Sequence, residues 1–380
     1  GSAGTAGNAG TAGNAGTAGS AGSGGTAGSA GAAGSKWLMG YYPGYQRNDM
    51  PPAEIPFDRL THLAVGAVLP QSDGTLDTTF YLGATEGPAL ATDLCKRAHD
   101  AGRESILMVG GAGTYDGFQS AASAAHRAAF VANLVSFAKA QGFDGLDLDW
   151  EPLPSSDLPN LQALAQDLRT AWPDVILTVP VGIINANIET VDTSWGAISQ
   201  AFDQINIMSY SMAGAWDGWQ SWHHTAIDGA TPTTPTSIKT SVDAWLAAGV
   251  PASKLGIGAG FYGLCYTSPV TAPNQELGGA TAIANDNELA WRKLMGSYYS
   301  ANARHWDDVA KAPYLSFASP TGALGCTYLS YTDEASLAAE AEYVHTRNLG
   351  GVIVWTINEG HLADGADKDP LLTALYGGLN

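Results

Sequence analysis

Phe143-Asp144-Gly145-Leu146-Asp147-Leu148-Asp149-Trp150-Glu151-Pro152 alternates apolar and acidic residues with a period of two. That is the pattern of a β-strand with two unlike faces. Leu146, Leu148 and Trp150 share one face, and Asp147, Asp149 and Glu151 share the other. Neighbouring carboxylates raise one another's pKa, so three of them stacked in a confined site cannot all be ionised. Pro152 ends the strand and leaves Glu151 at its carboxyl-terminal rim. Asp149 and Asp147 step down beneath it by about 6.6 Å per pair of residues. Asp144 lies on the opposite parity at the start of the strand and reads as structural.

Around this stretch, short apolar runs alternate with helical patterns, the signature of a parallel sheet with crossover helices. The strands are predicted at Trp37–Tyr42, Leu60–Val68, Ser105–Gly111, the acidic stretch, Val175–Pro180, Gln204–Tyr210, Leu255–Tyr262 and Gly351–Trp355. Helices are predicted near Pro88–Ala101, Ala121–Gln141, Leu158–Trp172, Ile238–Ala248 and Glu334–Asn348. Eight such units around one core predict an α/β fold, a TIM (β/α)8 barrel. The rhythm breaks at 264–328, where loops, aromatics and a short helix near Glu288–Leu294 predict a small subdomain inserted after the seventh strand. Chemistry in such barrels gathers at the carboxyl ends of the strands. Tyr210 and Trp355 also end predicted strands, so the site is expected to assemble from positions far apart in the chain.

The chain has 380 residues, and residues 1–35 are unlike the rest, with a glycine at every third position among Ala, Ser, Thr and Asn. With nothing large to bury, this segment is expected to be a flexible linker. Its glycine period resembles collagen, but there is no proline before Pro43. Residues 36–380 are ample for one large core. A net charge of −19, from 17 basic and 36 acidic residues, argues against nucleic acid and anionic membrane partners, which want basic patches. A neutral or cationic polymer is compatible with it. No run of 18 apolar residues is present, and no signal peptide is visible. Cys265 and Cys326 flank the insertion and could close it as a disulfide, while Cys95 reads as an inert buried thiol.

The acidic face has two readings: a hard divalent cation among the carboxylates, or a proton donor at the rim tuned by the deeper groups. Aromatic richness favours the second. Eleven Trp and fifteen Tyr include Trp216-Asp217-Gly218-Trp219-Gln220-Ser221-Trp222, and flat aromatics stack on the apolar faces of sugars. For any single tryptophan, ordinary core burial is an equal alternative. No metal and no cofactor are expected.

Asp144-Gly145-Leu146-Asp147-Leu148-Asp149-Trp150-Glu151 matches in full the D-G-x-D-x-D-x-E signature of the family 18 glycoside hydrolases, the chitinases. The resemblance runs from Lys36 to Asn380. It includes Gly40-Tyr41-Tyr42, Met208-Ser209-Tyr210, Phe261-Tyr262-Gly263, Trp355, and Trp306 to Tyr314 in the insertion. It implies a secreted, monomeric chitinase acting on chitin and chitooligosaccharides by a retaining, substrate-assisted mechanism. It implies that Glu151 is the acid and then the base, and that Asp149 stabilises the acetamido group. Asp147 would share a proton with Asp149, and Tyr210 would hydrogen-bond the acetamido oxygen. Tyr41, Met208, Trp216 and Trp355 would bind sugar, with Trp219, Trp222 and Trp306 as further groove candidates. Related alternatives are an endo-β-N-acetylglucosaminidase on N-linked glycans and a chitin-binding lectin that does no chemistry. Three positions depart from the family pattern. Met108 replaces a serine that supports the deep aspartate, Ala112 an aromatic platform, and Ser211 the aspartate after the sixth-strand tyrosine.

Overall fold

Strands β1 (Trp37–Pro43), β2 (His62–Pro70), β3 (Glu104–Gly111), β4 (Gly145–Trp150), β5 (Ile176–Val181), β6 (Gln204–Ile207), β7 (Leu255–Gly260) and β8 (Gly351–Trp355) pair in parallel, each with its neighbours in sequence. Trp37 lies opposite Gly351 and Met39 opposite His62, so β1 joins both β8 and β2 and the sheet closes. The structure is a computed structural model describing residues 36–380, and the linker expected over residues 1–35 lies outside them.

Alternation along each strand sorts side chains into two cores. Met39, Tyr41, Ala64, Ala67, Ile106, Met108 and Ile353 form a small cluster inside the barrel. A much larger cluster fills the layer between strands and helices. β4 obeys the expected parity: Leu146, Leu148 and Trp150 belong to the outer core, where Trp150 stacks on Phe118 with ring centroids 4.8 Å apart. Asp147 and Asp149 face inward. Asp144 accepts hydrogen bonds from the Ser105 backbone N–H at 2.8 Å and the Ser105 hydroxyl at 3.0 Å, a structural tie at the base of the strand.

Several boundaries move. The helix expected over Ala121–Gln141 begins only at Arg127, and a separate short helix, Tyr115–Ala121, precedes it. β6 stops at Ile207 and β7 at Gly260, so Tyr210 and Tyr262 stand beyond their strands rather than on them. The chain turns there because Ser211 adopts a left-handed conformation with φ of 46°.

The insertion after β7 forms an antiparallel sheet in the spatial order Ala282–Ile283, Gly263–Thr267, Cys326–Tyr331, Ala312–Thr321, Arg304–Asp307. A disulfide joins Cys265 to Cys326 across two neighbouring strands and closes the insertion at its base. Its short helix is Trp291–Ser297, three residues later than expected at each end. Cys95 is a buried free thiol.

Candidate active site

At the carboxyl ends of the strands a cavity of about 750 Å³ opens, and Tyr41, Asp149, Glu151, Met208, Tyr210 and Trp355 are among its walls. Six of the eight residues expected at the site therefore meet in one space, from strands or strand ends β1, β4, β6 and β8. Asp147 is fully buried directly beneath Asp149.

The three carboxyls are held differently. Asp147 accepts a hydrogen bond from Tyr41 Oη at 2.7 Å on one oxygen and from Thr178 Oγ1 on the other. Thr178 reaches it because β5 runs in register with β4, Thr178 opposite Asp147. Burial nevertheless pushes the Asp147 pKa up to about 6, the two hydroxyls pulling against it. Asp149 is 4% exposed and its Oδ1 has no protein partner. Burial, then the charges of Glu151 and Asp147, hold its pKa well above the usual carboxylate range. Burial also raises Glu151, and a hydrogen bond shared with Asp149 draws it partly back. The stack thus retains protons near neutral pH, with the outermost carboxyl open to the cavity.

The opposite wall depends on glycine. A Cβ on Gly258 would lie 2.7 Å from Tyr210 Cε1, and one on Gly260 would lie 2.6 Å from His224 Nε2. Bare backbone on β7 lets both rings approach the barrel axis. Tyr210 meets Tyr262 edge-on with centroids 6.0 Å apart, and Tyr262 Oη and Ser211 Oγ are hydrogen-bonded at 2.7 Å. The Ser211 backbone N–H donates to His224 Nδ1 at 3.2 Å, which leaves the His224 proton on Nε2. Burial pushes the His224 pKa down to about 3, so this wall adds no cation.

Trp355 closes the bottom. Its ring tilts against Tyr41 at 5.5 Å, and its Nε1–H donates to Asp286 Oδ2 at 2.9 Å. Asp286 comes from the inserted subdomain, so the insertion reaches into the site. A smaller space of about 200 Å³ continues past Ala112 and Met108 toward Tyr45 and Tyr81, two exposed rings 5.5 Å apart.

Trp216 is not brought to this cavity. The chain turns at Ser211, and the Trp216 ring folds back over Gly214, where a Cβ would sit 2.9 Å from its Cε2. It packs edge-on against Trp219 at 4.8 Å instead. Trp222 is core, and Trp306 bonds its own neighbour Asp308 at 3.0 Å. Sequence reasoning missed Thr178, Tyr262, Asp286 and the wall from Gly182 to Asp192. Thr178 was findable from its inward parity, and Tyr262 from the Phe261-Tyr262-Gly263 match. Asp286 carries no local signal. Among the described residues no group of three or more His, Cys, Asp or Glu is arranged to hold a metal ion.

The chain is 31% identical over 282 residues to mouse (Mus musculus) chitotriosidase-1, an alignment covering 67% of this chain and 58% of that protein. It is 27% identical over 289 residues to chitinase A1 of Niallia circulans, covering 67% of this chain and 40% of that one. The chain thus spans less than two thirds of the length of either relative. The crystal structure of a chitinase from Rhizomucor miehei superposes with a TM-score of 0.72 at 26% identity, covering 91% of this chain and 100% of that one. The family described as Glycosyl hydrolases family 18 matches residues 37–360. With its acidic strand, closed barrel and inserted subdomain, the chain belongs to family 18 of the glycosyl hydrolases.

Proposed function

We propose that this chain hydrolyses the β-1,4 bonds between N-acetylglucosamine units of chitin, with retention and with the substrate's own acetamido group as nucleophile. The observation that carries this is the arrangement of the carboxyls. A two-carboxylate glycosidase needs a second carboxylate facing its acid across the scissile bond, at about 5 Å or more. Here Asp149 is buried beside Glu151 on the same face of β4, Asp147 is buried below it, and Asp286 is engaged by Trp355. None of these three faces Glu151 as a nucleophile would, and the family resemblance supplies the sugar's acetamido carbonyl oxygen in that role. The names of the relatives, both chitinases, support the substrate.

Glu151 protonates the glycosidic oxygen as the acetamido oxygen attacks the anomeric carbon, and the leaving sugar departs with the proton. Asp149, whose free Oδ1 has no other partner, takes the acetamido N–H and stabilises the positive charge of the oxazolinium ring. Asp147 shares the proton that Asp149 gives up. Tyr210 donates to the acetamido oxygen, Tyr41 holds Asp147, and Trp355 and Met208 support the sugar. Glu151 then removes a proton from water as it opens the ring, restoring the acid. The Cys265–Cys326 disulfide supports an extracellular location, since such bonds persist in oxidising compartments.

The test is Glu151→Gln with chitin hexamer. The expected result is loss of product, a nearly unchanged dissociation constant, and β-anomer products from the parent enzyme. Parent-like turnover in the variant, or α-anomers from the parent, overturns the mechanism. Faster cleavage of a high-mannose glycoprotein than of the hexamer overturns the substrate.

A further inference from the structure

A polar bracket outside the catalytic stack ties three distant segments together beneath Trp355. Gln46, just after β1, is buried. Its Nε2 donates to Glu359 Oε1 at 2.8 Å and to Asn287 Oδ1 at 3.3 Å, and its Oε1 accepts from Thr356 Oγ1 at 2.6 Å. Thr356 follows Trp355 directly, and Asn287 follows Asp286, the acceptor for Trp355 Nε1. One amide therefore spans the loop after β1, the segment after β8 and the subdomain loop that grips the indole.

We propose that Glu359 is a positioning residue for the sugar-binding floor, acting through Gln46 and the Asp286–Asn287 loop on the orientation of Trp355. Glu359 is 1% exposed, and its Oε2 has no partner. A neutral carboxyl in that setting orients Gln46 as a single acceptor and sets no charge beside Asp286. Burial first, and the Asp286 charge second, push its pKa up to about 8, against the Gln46 bond, the Thr356 backbone N–H and Arg292. Arg292 is itself paired with Asp49 at 2.6 Å, and the other titratable groups facing Glu359 are the Tyr45 and Tyr262 hydroxyls. Above that pKa a second negative charge would stand beside Asp286, pushing the loop away from Trp355.

This rests on the reading of Trp355 as the floor of a chitin-binding site, and the experiment separates the two. Binding of chitin hexamer is followed by tryptophan fluorescence in the Glu151→Gln background, where the acid no longer titrates. Below pH 7, Glu359→Gln should bind as the background does, whereas Glu359→Ala and Asp286→Ala should each bind roughly tenfold more weakly, the loss expected for one hydrogen bond to a charged group. The double variant Glu359→Ala/Asp286→Ala should be no weaker than either single one, because both act on the same bond. Across about pH 8 the affinity should fall in the background and stay level in Glu359→Gln. Additive losses, or a fall that persists in Glu359→Gln, overturn the proposal. Absence of hexamer binding and hydrolysis in the parent enzyme overturns the functional reading instead. Should Glu359→Ala fail to fold, the pH response of Glu359→Gln still decides.

Discussion

Asp147→Asn should make the protein more stable at neutral pH while disabling it, and the size of the effect follows from the environment of that carboxyl. Asp147 is fully buried and its pKa moves from an ordinary 3.8 to about 6. Each unit is worth about 1.4 kcal/mol, so holding this group ionised in the folded state costs about 3 kcal/mol. The folded pKa lies above the unfolded one, so the folded state binds the proton more tightly. The penalty is absent below about pH 4, grows between 4 and 6, and is complete above. An asparagine does not titrate and fits the same space, since the Tyr41 and Thr178 hydroxyls can accept as well as donate. With an unfolding entropy of about 2.1 cal/mol/K per residue over about 345 residues, 3 kcal/mol corresponds to about 4 °C. Calorimetric melts of variant and parent should therefore nearly coincide at pH 3.5 and separate by about 4 °C, variant higher, at pH 7.5. Activity on chitin oligomers should fall by about two orders of magnitude, the scale of losing one preorganised electrostatic group. An offset that is constant across pH, or a variant less stable at pH 7.5, would refute the claim that Asp147 is held ionised at a cost.

Met108→Ser places a hydroxyl opposite Asp147 but removes a thioether that packs against Gly66 and Gly111 inside the barrel. It should lose roughly 2–4 kcal/mol of stability to the cavity, and a hydroxyl bonded to ionised Asp147 should move the pH–kcat/KM profile toward acid. A profile that shifts toward base would count against that arrangement. Replacing both Cys265 and Cys326 by Ala opens a loop of 61 residues, for which chain entropy gives about 4 kcal/mol. Limited proteolysis should then cut first within residues 268–325, and parent-like resistance there would show that the sheet holds the insertion without the bond.

Much of the fold was legible because a barrel strand repeats every two residues and a helix about every three and a half, so burial is written into spacing. The acidic strand placed Glu151 at the rim and its two aspartates below, and the structure keeps that order. Boundaries were less legible where a single backbone conformation decides them. Nothing in Met208-Ser209-Tyr210-Ser211 announces that β6 stops at Ile207 or that Ser211 turns left-handed, yet that turn presents Tyr210 to the cavity and sends Trp216 away.

By itself, then, the sequence determined the barrel, the insertion and the carboxyl stack, since each is a local periodicity or a motif within one element. Only the tertiary structure decided what surrounds the stack. Thr178 meets Asp147 through strand register, Tyr210 fits because β7 is bare at Gly258, and Asp286 reaches Trp355 from 69 residues away in the chain. Such contacts depend on how separate elements pack, and no spacing within one element encodes them.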